Sequence, residues 1–174
     1  MSYLQFTFTS GVLVFGLTFS GCNAPTETNS DVSAVFDANA ATIAHAFADF
    51  QAEDEHFFTH FAEDAFWGGT SLNAPDSIPL STVAPMYREL WGKYDYEMVG
   101  EPNFLPGVNP VSKETDGSVR GYFKWNITKA ATDSTETKTV QVKLYESFDF
   151  NADSEIDWTQ VYGNLQLAYA MLEE

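Results

Sequence analysis

Two histidines four residues apart, His56 and His60, open the chemical reading of this chain. On a helix that spacing puts both imidazoles on one face. With Glu53, Asp54 or Glu63 close by, the donors of a zinc site would be at hand. The zinc-protease pattern needs Glu directly after the first His, and Phe57 stands there. His45 falls on another helix. A histidine base paired with Asp49, Asp54 or Asp64 is the other chemistry the types allow, since imidazole titrates near neutral pH. The plainer alternative is two half-exposed histidines on an acidic helix, and the expectation is no metal and no cofactor. The single cysteine, Cys22, excludes an intramolecular disulfide and a multi-cysteine zinc site. The sequence contains no glycine-rich phosphate loop, Cys-His pair or serine-elbow motif.

The composition narrows the field further. The chain has 174 residues, 8 basic against 25 acidic side chains, and a formal net charge of −17. That length fits one domain with a real core. So acidic a surface repels phosphate backbones and excludes nucleic-acid binding. At 44% hydrophobic and 16% aromatic residues, the chain can offset the entropy of ordering, which excludes intrinsic disorder.

No charged residue occurs in the first 21 positions. Gly11 to Phe19 is an apolar run of about nine residues, the size of a signal-peptide core and too short to span a bilayer. Phe19, Ser20 and Gly21 then precede Cys22. This resembles the lipobox of bacterial lipoproteins, with Phe19 in place of the usual leucine and no basic residue ahead of the apolar run. The resemblance implies a signal peptide over residues 1–21 and lipidation at Cys22, a membrane partner through several acyl chains. The polar stretch after Cys22 reads as a flexible tether over residues 22–33. Asn23 is not the Asp that commonly signals inner-membrane retention, which favours the outer membrane. The expected location is thus the cell envelope, exported and lipid-anchored.

The positioning elements follow from periodicity. Phe36, Ala40, Ile43, Phe47 and Phe50 form one face of a helix ending near Gln51. Asp54 caps a short second helix carrying Phe57, Phe58 and Phe61, which Ala62-Glu63-Asp64 closes. Ala65-Phe66-Trp67 is a short strand stopped by Gly68-Gly69. Thr70 to Leu80 is a loop. Ser81 or Thr82 caps a third helix with Val83, Met86, Tyr87, Leu90 and Trp91 on its apolar stripe, Pro85 sitting in the first turn. After Lys93 the pattern turns to strands. Tyr94, Tyr96 and Met98 alternate with acids, Pro102 to Pro110 is a connection, and Asp116-Gly117 is a turn ahead of Ser118–Lys129. Thr137–Phe150 is the longest strand, with Val140, Val142, Leu144, Glu146 and Phe148 on one face. Ile156–Tyr162 is the last strand, and Leu165–Leu172 a terminal helix. The order predicts an α+β fold.

This order resembles the nuclear transport factor 2-like superfamily, with its SnoaL-like polyketide cyclases and ketosteroid isomerases. The passages that carry it are Phe57-Phe58-Thr59-His60-Phe61-Ala62-Glu63-Asp64-Ala65-Phe66-Trp67, the helix from Ser81 to Trp91 after a proline-containing loop, and Glu146-Ser147-Phe148-Asp149-Phe150-Asn151 followed by Ile156 and Gln160-Val161-Tyr162. The family's Asp-x-x-Gly-Lys turn is here Asn151-Ala152-Asp153-Ser154-Glu155. The resemblance implies a SnoaL-like domain over residues 34–174, a cone-shaped, strongly curved, mostly antiparallel sheet packed on three N-terminal helices and enclosing a pocket. It also implies that Asp64 has a structural role at a turn.

The isomerase mechanism needs an Asp base and an oxyanion hole of Tyr plus a protonated carboxylic acid. By the resemblance, the base would fall at Gly68-Gly69, where no carboxylate stands, and the acid at Glu146, which matches in type. Glu146 is thus the catalytic candidate, against a plain polar role in the pocket. Phe47, Phe58, Trp67, Met86, Trp91, Tyr94, Phe123, Trp125, Tyr145 and Tyr162 are the candidate pocket lining. Arg120 and Lys143 could pair with Glu146 or meet an anion, though surface ion pairs are the plainer role.

Three functions compete. The first is an envelope lipoprotein whose pocket binds a small, partly apolar molecule. The second is a SnoaL-like isomerase, cyclase, dehydratase or hydrolase using Glu146 as acid or base. The third is a homodimeric association module that pairs through the outer sheet face.

Overall fold

The spacing of Phe36, Ala40, Ile43, Phe47 and Phe50 builds helix α1 (Glu27–Gln51). It belongs to a computed structural model that describes residues 27–174. The signal peptide over residues 1–21 and Cys22 lie outside the described residues. Ile43 and Phe47 are buried, and full burial of such side chains stabilises by ~1.5–3 kcal/mol each. The tether expected through residue 33 gives way to helix from Glu27. Once inner turns are held by packing, each further turn outward costs little.

The end of α1 is sharp. Glu53 takes the left-handed conformation at φ 57°, and the Asp54 amide reaches back to the Asp49 carbonyl at 3.0 Å. Asp54 then caps a 3-10 helix (Glu55–His60), its carboxylate accepting from the His56 amide at 2.9 Å. The expected helical ending at Ala62-Glu63-Asp64 is instead strand. β1 runs from Phe61 to Trp67 and pairs parallel with the strand Ile156–Tyr162 (β7). Burial of Phe61, Ala62 and Ala65 on that pairing overrides local preference.

β2 (Ile78–Pro79) pairs with β1, and α2 (Leu80–Trp91) follows without a side-chain cap from Ser81 or Thr82. Pro85 is therefore the sixth residue of α2 and not in its first turn. The hydrogen bond it forfeits is to the carbonyl of exposed Ser81, which water can satisfy.

The sheet is built around a long hairpin. β5 (Thr115–Lys129) and β6 (Lys138–Phe150) pair antiparallel in unbroken register from Val119–Phe148 to Lys129–Lys138. β7 (Ile156–Tyr162) adds antiparallel to β6, while β3 (Asp95–Met98) and β4 (Asn103–Val108) share the other edge of β5. The order is β2-β1-β7-β6-β5-β3, with β4 beside β5. β4 lies inside the stretch expected to be a connection. It is an edge strand, where Pro106 can be tolerated. Asp116-Gly117 is not the turn. The reversal lies just before, where Lys113 adopts φ 65° and the Asn109 amide donates to the Glu114 carbonyl at 2.8 Å. Gly117 (φ 82°) instead lets β5 approach α1, and a Cβ there would meet Val35 at 2.6 Å. The buried Asn39 amide donates to the Gly117 carbonyl at 3.0 Å. α3 (Leu165–Glu173) closes the chain, burying Ala168 and Leu172. The result is the expected α+β cone: helices packed into the hollow of a curved, mostly antiparallel sheet.

Candidate functional site

Strand alternation places the chemistry. Val142, Leu144 and Phe148 on β6 are buried toward the helices, and Glu146 has their parity. It enters an apolar cavity of about 80 Å³ to which every helix and most strands contribute. Ala46, Phe47 and Phe50 come from α1, Phe57 from the 3-10 helix, and Phe61 and Trp67 from β1. Tyr87 and Leu90 come from α2, Tyr96 from β3, and Phe123 and Trp125 from β5. Leu144 and Glu146 come from β6, Val161 from β7, and Leu165 and Tyr169 from α3.

Among the described residues Glu146 has one side-chain hydrogen-bond partner. The hydroxyl of fully buried Thr159 donates to its Oε1 at 2.7 Å. One hydrogen bond does not replace hydration, so burial pushes the carboxyl up to about 7, the Thr159 bond pulling the other way. Tyr87 completes the polar lining. Its oxygen accepts from Trp67 Nε1 at 3.2 Å, which leaves its own proton free to donate. Burial, and then the negative charge of Glu146, push the Tyr87 phenol far above its ordinary value. It is therefore a donor at any ordinary pH and not a base. Across the cavity the Tyr96 and Tyr169 hydroxyls share a hydrogen bond of 3.0 Å.

This arrangement can bind one polar group in apolar surroundings, and Glu146 can take up or release a proton near neutral pH. It cannot run the two-carboxylate isomerase route at the expected place. Gly68 and Gly69 carry no acid, and a Cβ at Gly68 would come within 2.7 Å of Gln160 Nε2. At Gly69 it would collide with the Pro75 carbonyl.

Of the ten expected lining residues, Phe47, Trp67, Phe123 and Trp125 face the cavity. The other six do not. Tyr145 and Tyr162 have the opposite parity from Glu146 and Val161, and lie on the outer sheet face with Tyr122, ring centroids 4.9 and 6.1 Å apart in sequence along the row. Met86 is 48% exposed on the outer side of α2. Phe58 and Trp91 pack on each other behind the wall, tilted by 47° with centroids 5.5 Å apart. Tyr94 stacks on Tyr169 and donates to Glu173 at 2.6 Å, its phenol pushed up to about 12 by burial and by that carboxylate. Phe50, Phe57, Phe61, Tyr87, Leu90, Tyr96 and Tyr169 were missing from the expectation. Phe50, Phe57, Phe61, Tyr87 and Leu90 already stood on apolar helical stripes, and the 94/96/98 alternation marked Tyr96. Arg120 pairs with Asp149 at 3.1 Å and Lys143 is exposed, both on the outer face away from Glu146. Asp64 is exposed within β1 and not at a turn.

A second cluster forms where α1 meets the 3-10 helix. His56 Nδ1 and His60 Nε2 lie 2.9 and 2.7 Å from the same oxygen, Asp49 Oδ2. The hydrogen bonds from His56 and then His60 hold the Asp49 carboxyl below its usual range, and Asp49 in turn raises the His56 imidazole.

No protein-family model matches the sequence, and no curated protein matches it. Solved structures do match. A candidate polyketide cyclase from Xanthomonas campestris pv. campestris aligns at TM-score 0.60 and 17% identity, over 79% of this chain and 98% of that one. A phenazine biosynthesis-related protein from Pseudomonas aeruginosa aligns at 0.59 and 14%, over 83% and 91%. The epoxide hydrolase/cyclase-like enzyme SalBIII of salinomycin pyran-ring formation aligns at 0.53 and 14%, over 75% and 93%. At these identities the common property is architecture, and residues 27–174 have the cone-shaped fold of the SnoaL-like, nuclear transport factor 2-like proteins.

Proposed function

We propose that the cone cavity binds a very small, largely apolar molecule with one polar group, which Glu146 anchors. Lipid on Cys22 then holds the domain at the cell envelope, with the outer membrane favoured over the inner. The observation that supports binding is a half-buried carboxyl at the wall of an apolar cavity, with Thr159 as its one side-chain donor among the described residues. Size sets the ligand class. Ligand pockets commonly enclose ~300–1,000 Å³, and a dry cavity of ~150 Å³ holds benzene. A cavity of about 80 Å³ admits only a few heavy atoms unless a wall ring moves aside. Native mass spectrometry of envelope-purified protein tests this directly. A retained small molecule in the wild type that is lost in Glu146→Ala is the expected result. Lipidation is tested by Cys22→Ser, which should release the protein from membranes.

The second reading is a SnoaL-like enzyme, an isomerase, cyclase, dehydratase or hydrolase. It is favoured by the Glu146 carboxyl lying at about 7, the value that suits a general acid or base at neutral pH, with Tyr87 as donor. Two of the matching structures, a candidate polyketide cyclase and an epoxide hydrolase/cyclase-like enzyme, agree with it. Glu146→Gln separates the two readings: retained affinity with lost turnover supports the enzyme. The third reading is a homodimer through the outer sheet face, where Phe66, Leu105, Tyr122 and Tyr162 are 38–49% exposed. Sedimentation at micromolar concentration tests it.

A further inference from the structure

We propose that Asp49, His56 and His60 form a binding site for a divalent transition cation, with Zn²⁺ the best fit. Their donor atoms all lie within 4.8 Å of one another. They converge from two elements, and different ring nitrogens point at one carboxylate oxygen: His56 Nδ1 at 2.9 Å and His60 Nε2 at 2.7 Å. The two rings stand perpendicular, centroids 5.2 Å apart, so they do not block each other, and a cation would take the place of the protons the two nitrogens now share with Asp49.

Two imidazoles and a carboxylate are a donor set of borderline softness, which suits Zn²⁺ and its neighbours and not Mg²⁺ or Ca²⁺. Around a tetrahedral zinc with bonds of about 2.0–2.1 Å, neighbouring donors stand roughly 3.3 Å apart. Each nitrogen must therefore withdraw from Asp49 by about half an ångström, a small side-chain rotation. His56 has the freedom for it, with its side chain 64% exposed. Three protein donors leave a fourth position to solvent. The excess negative charge of the chain raises the local concentration of any cation.

The cluster is also pre-organised. Each of the three residues is followed in sequence by a phenylalanine, Phe50, Phe57 and Phe61, and all three rings line the cavity. Phe57 lies 5.3 Å from Phe50 and 5.1 Å from Phe61. Packing of these rings fixes the backbone from which the donors project. The 3-10 helix is pinned further by Asp54 at its start and by the Thr59 hydroxyl on the His56 carbonyl at 2.8 Å. A bound cation would tie the end of α1 to the 3-10 helix on the outer side of the cavity wall.

Chelator-treated full-length protein should be titrated with Zn²⁺ by calorimetry and with Co²⁺ by visible absorption. One saturable site per chain is expected, with four-coordinate Co²⁺ bands and a thermal midpoint raised by Zn²⁺. Loss of outer-shell partners alone weakens metal sites ~10–100-fold, so His60→Ala or Asp49→Ala should cost at least about 100-fold. The His56→Ala chain serves as the second variant, since an exposed side chain can be removed without disturbing the fold. His45→Ala and Cys22→Ser should bind like the wild type. Absence of a saturable site in the wild type overturns the proposal. So does unchanged Zn²⁺ affinity in both histidine variants, or loss of binding in His45→Ala or Cys22→Ser instead.

Discussion

Glu146 and Asp49 are two carboxylates on either side of one phenylalanine wall, and their environments drive them in opposite directions. Glu146 is desolvated with one neutral donor, so its carboxyl rises to about 7. Asp49 keeps contact with water and meets two imidazoles on one oxygen, so its carboxyl falls. Burial without a charge partner favours the neutral form, and charge-capable donors at the rim favour the ionised one. The same side-chain chemistry thus yields a proton-exchanging group inside and a fixed anion outside. Position on the fold decides which.

The wall between them carries the largest expected effect. Phe57 is buried, lines the cavity and contacts Phe50, Phe58 and Phe61. Phe57→Ala should cost ~3–5 kcal/mol in denaturant unfolding. If the two regions share this wall, the variant also enlarges the cavity and brings the His56 titration back toward its ordinary range. A stability loss with His56 unmoved would mean that the cluster stands independently of the cavity.

Glu146→Gln comes next and has the opposite sign. The carboxyl rises from 4.5 unfolded to about 7 folded. Below pH 4.5 both states are protonated and nothing is lost. Between 4.5 and about 7 the unfolded chain releases the proton while the folded one keeps it, so stability falls as pH rises. The loss is complete above the folded value and amounts to about 3 kcal/mol at pH 8. Glutamine can still accept from Thr159 and has no charge to desolvate. The variant should therefore be more stable than wild type by about that much at pH 8, with the gap closing toward pH 4.5. A gap independent of pH would refute a desolvated carboxyl. Thr159→Val probes the same group more gently. It removes the Thr159 donor at constant shape, and the Glu146 titration should move up by about one pH unit, read by carboxyl infrared bands.

Sheet parity made the inside of the cone legible and was also where the lining was misjudged. The β6 alternation puts Glu146 with Val142, Leu144 and Phe148, as the structure has it. The same alternation puts Tyr145 outside, and Tyr162 follows because it pairs with Tyr145 across the sheet. Aromatic character drew both into the expected pocket against their parity. Helical stripes likewise held Phe50 and Tyr87, while Met86, at the stripe's edge, faces solvent. β4 was hidden by Pro106, which only an edge strand accommodates, beside Gly107, which weakens a strand pattern. The Asp49 cluster was only half legible: Asp49 stood among three acids that could partner a histidine, and spacing could not single it out. Spacing arguments work within one element, and the chain reverses at Glu53 between Asp49 and the histidines. Only that left-handed turn converts separations of 7 and 11 residues into contacts.

Asp49→Asn is the smallest effect and isolates the outer half of the comparison. Asp49 is lowered and His56 raised, so their linkage terms bracket a window. The Asp49 contribution is present above its unfolded value of 3.8 and is lost as pH falls through the lower folded one. The His56 contribution is present below its unfolded value of 6.5 and is lost as pH rises through the higher folded one. Both act together between about pH 4 and 6.5, the interval in which ionisation of Glu146 begins to cost stability. Asparagine keeps the size and one acceptor oxygen but removes the charge. The His56 ring proton, followed by NMR, should then titrate near 6.5, while the Glu146 midpoint stays in place. Movement of both midpoints together would show that the wall transmits charge, and that the two carboxylates are one coupled system and not two sites set by their own surroundings.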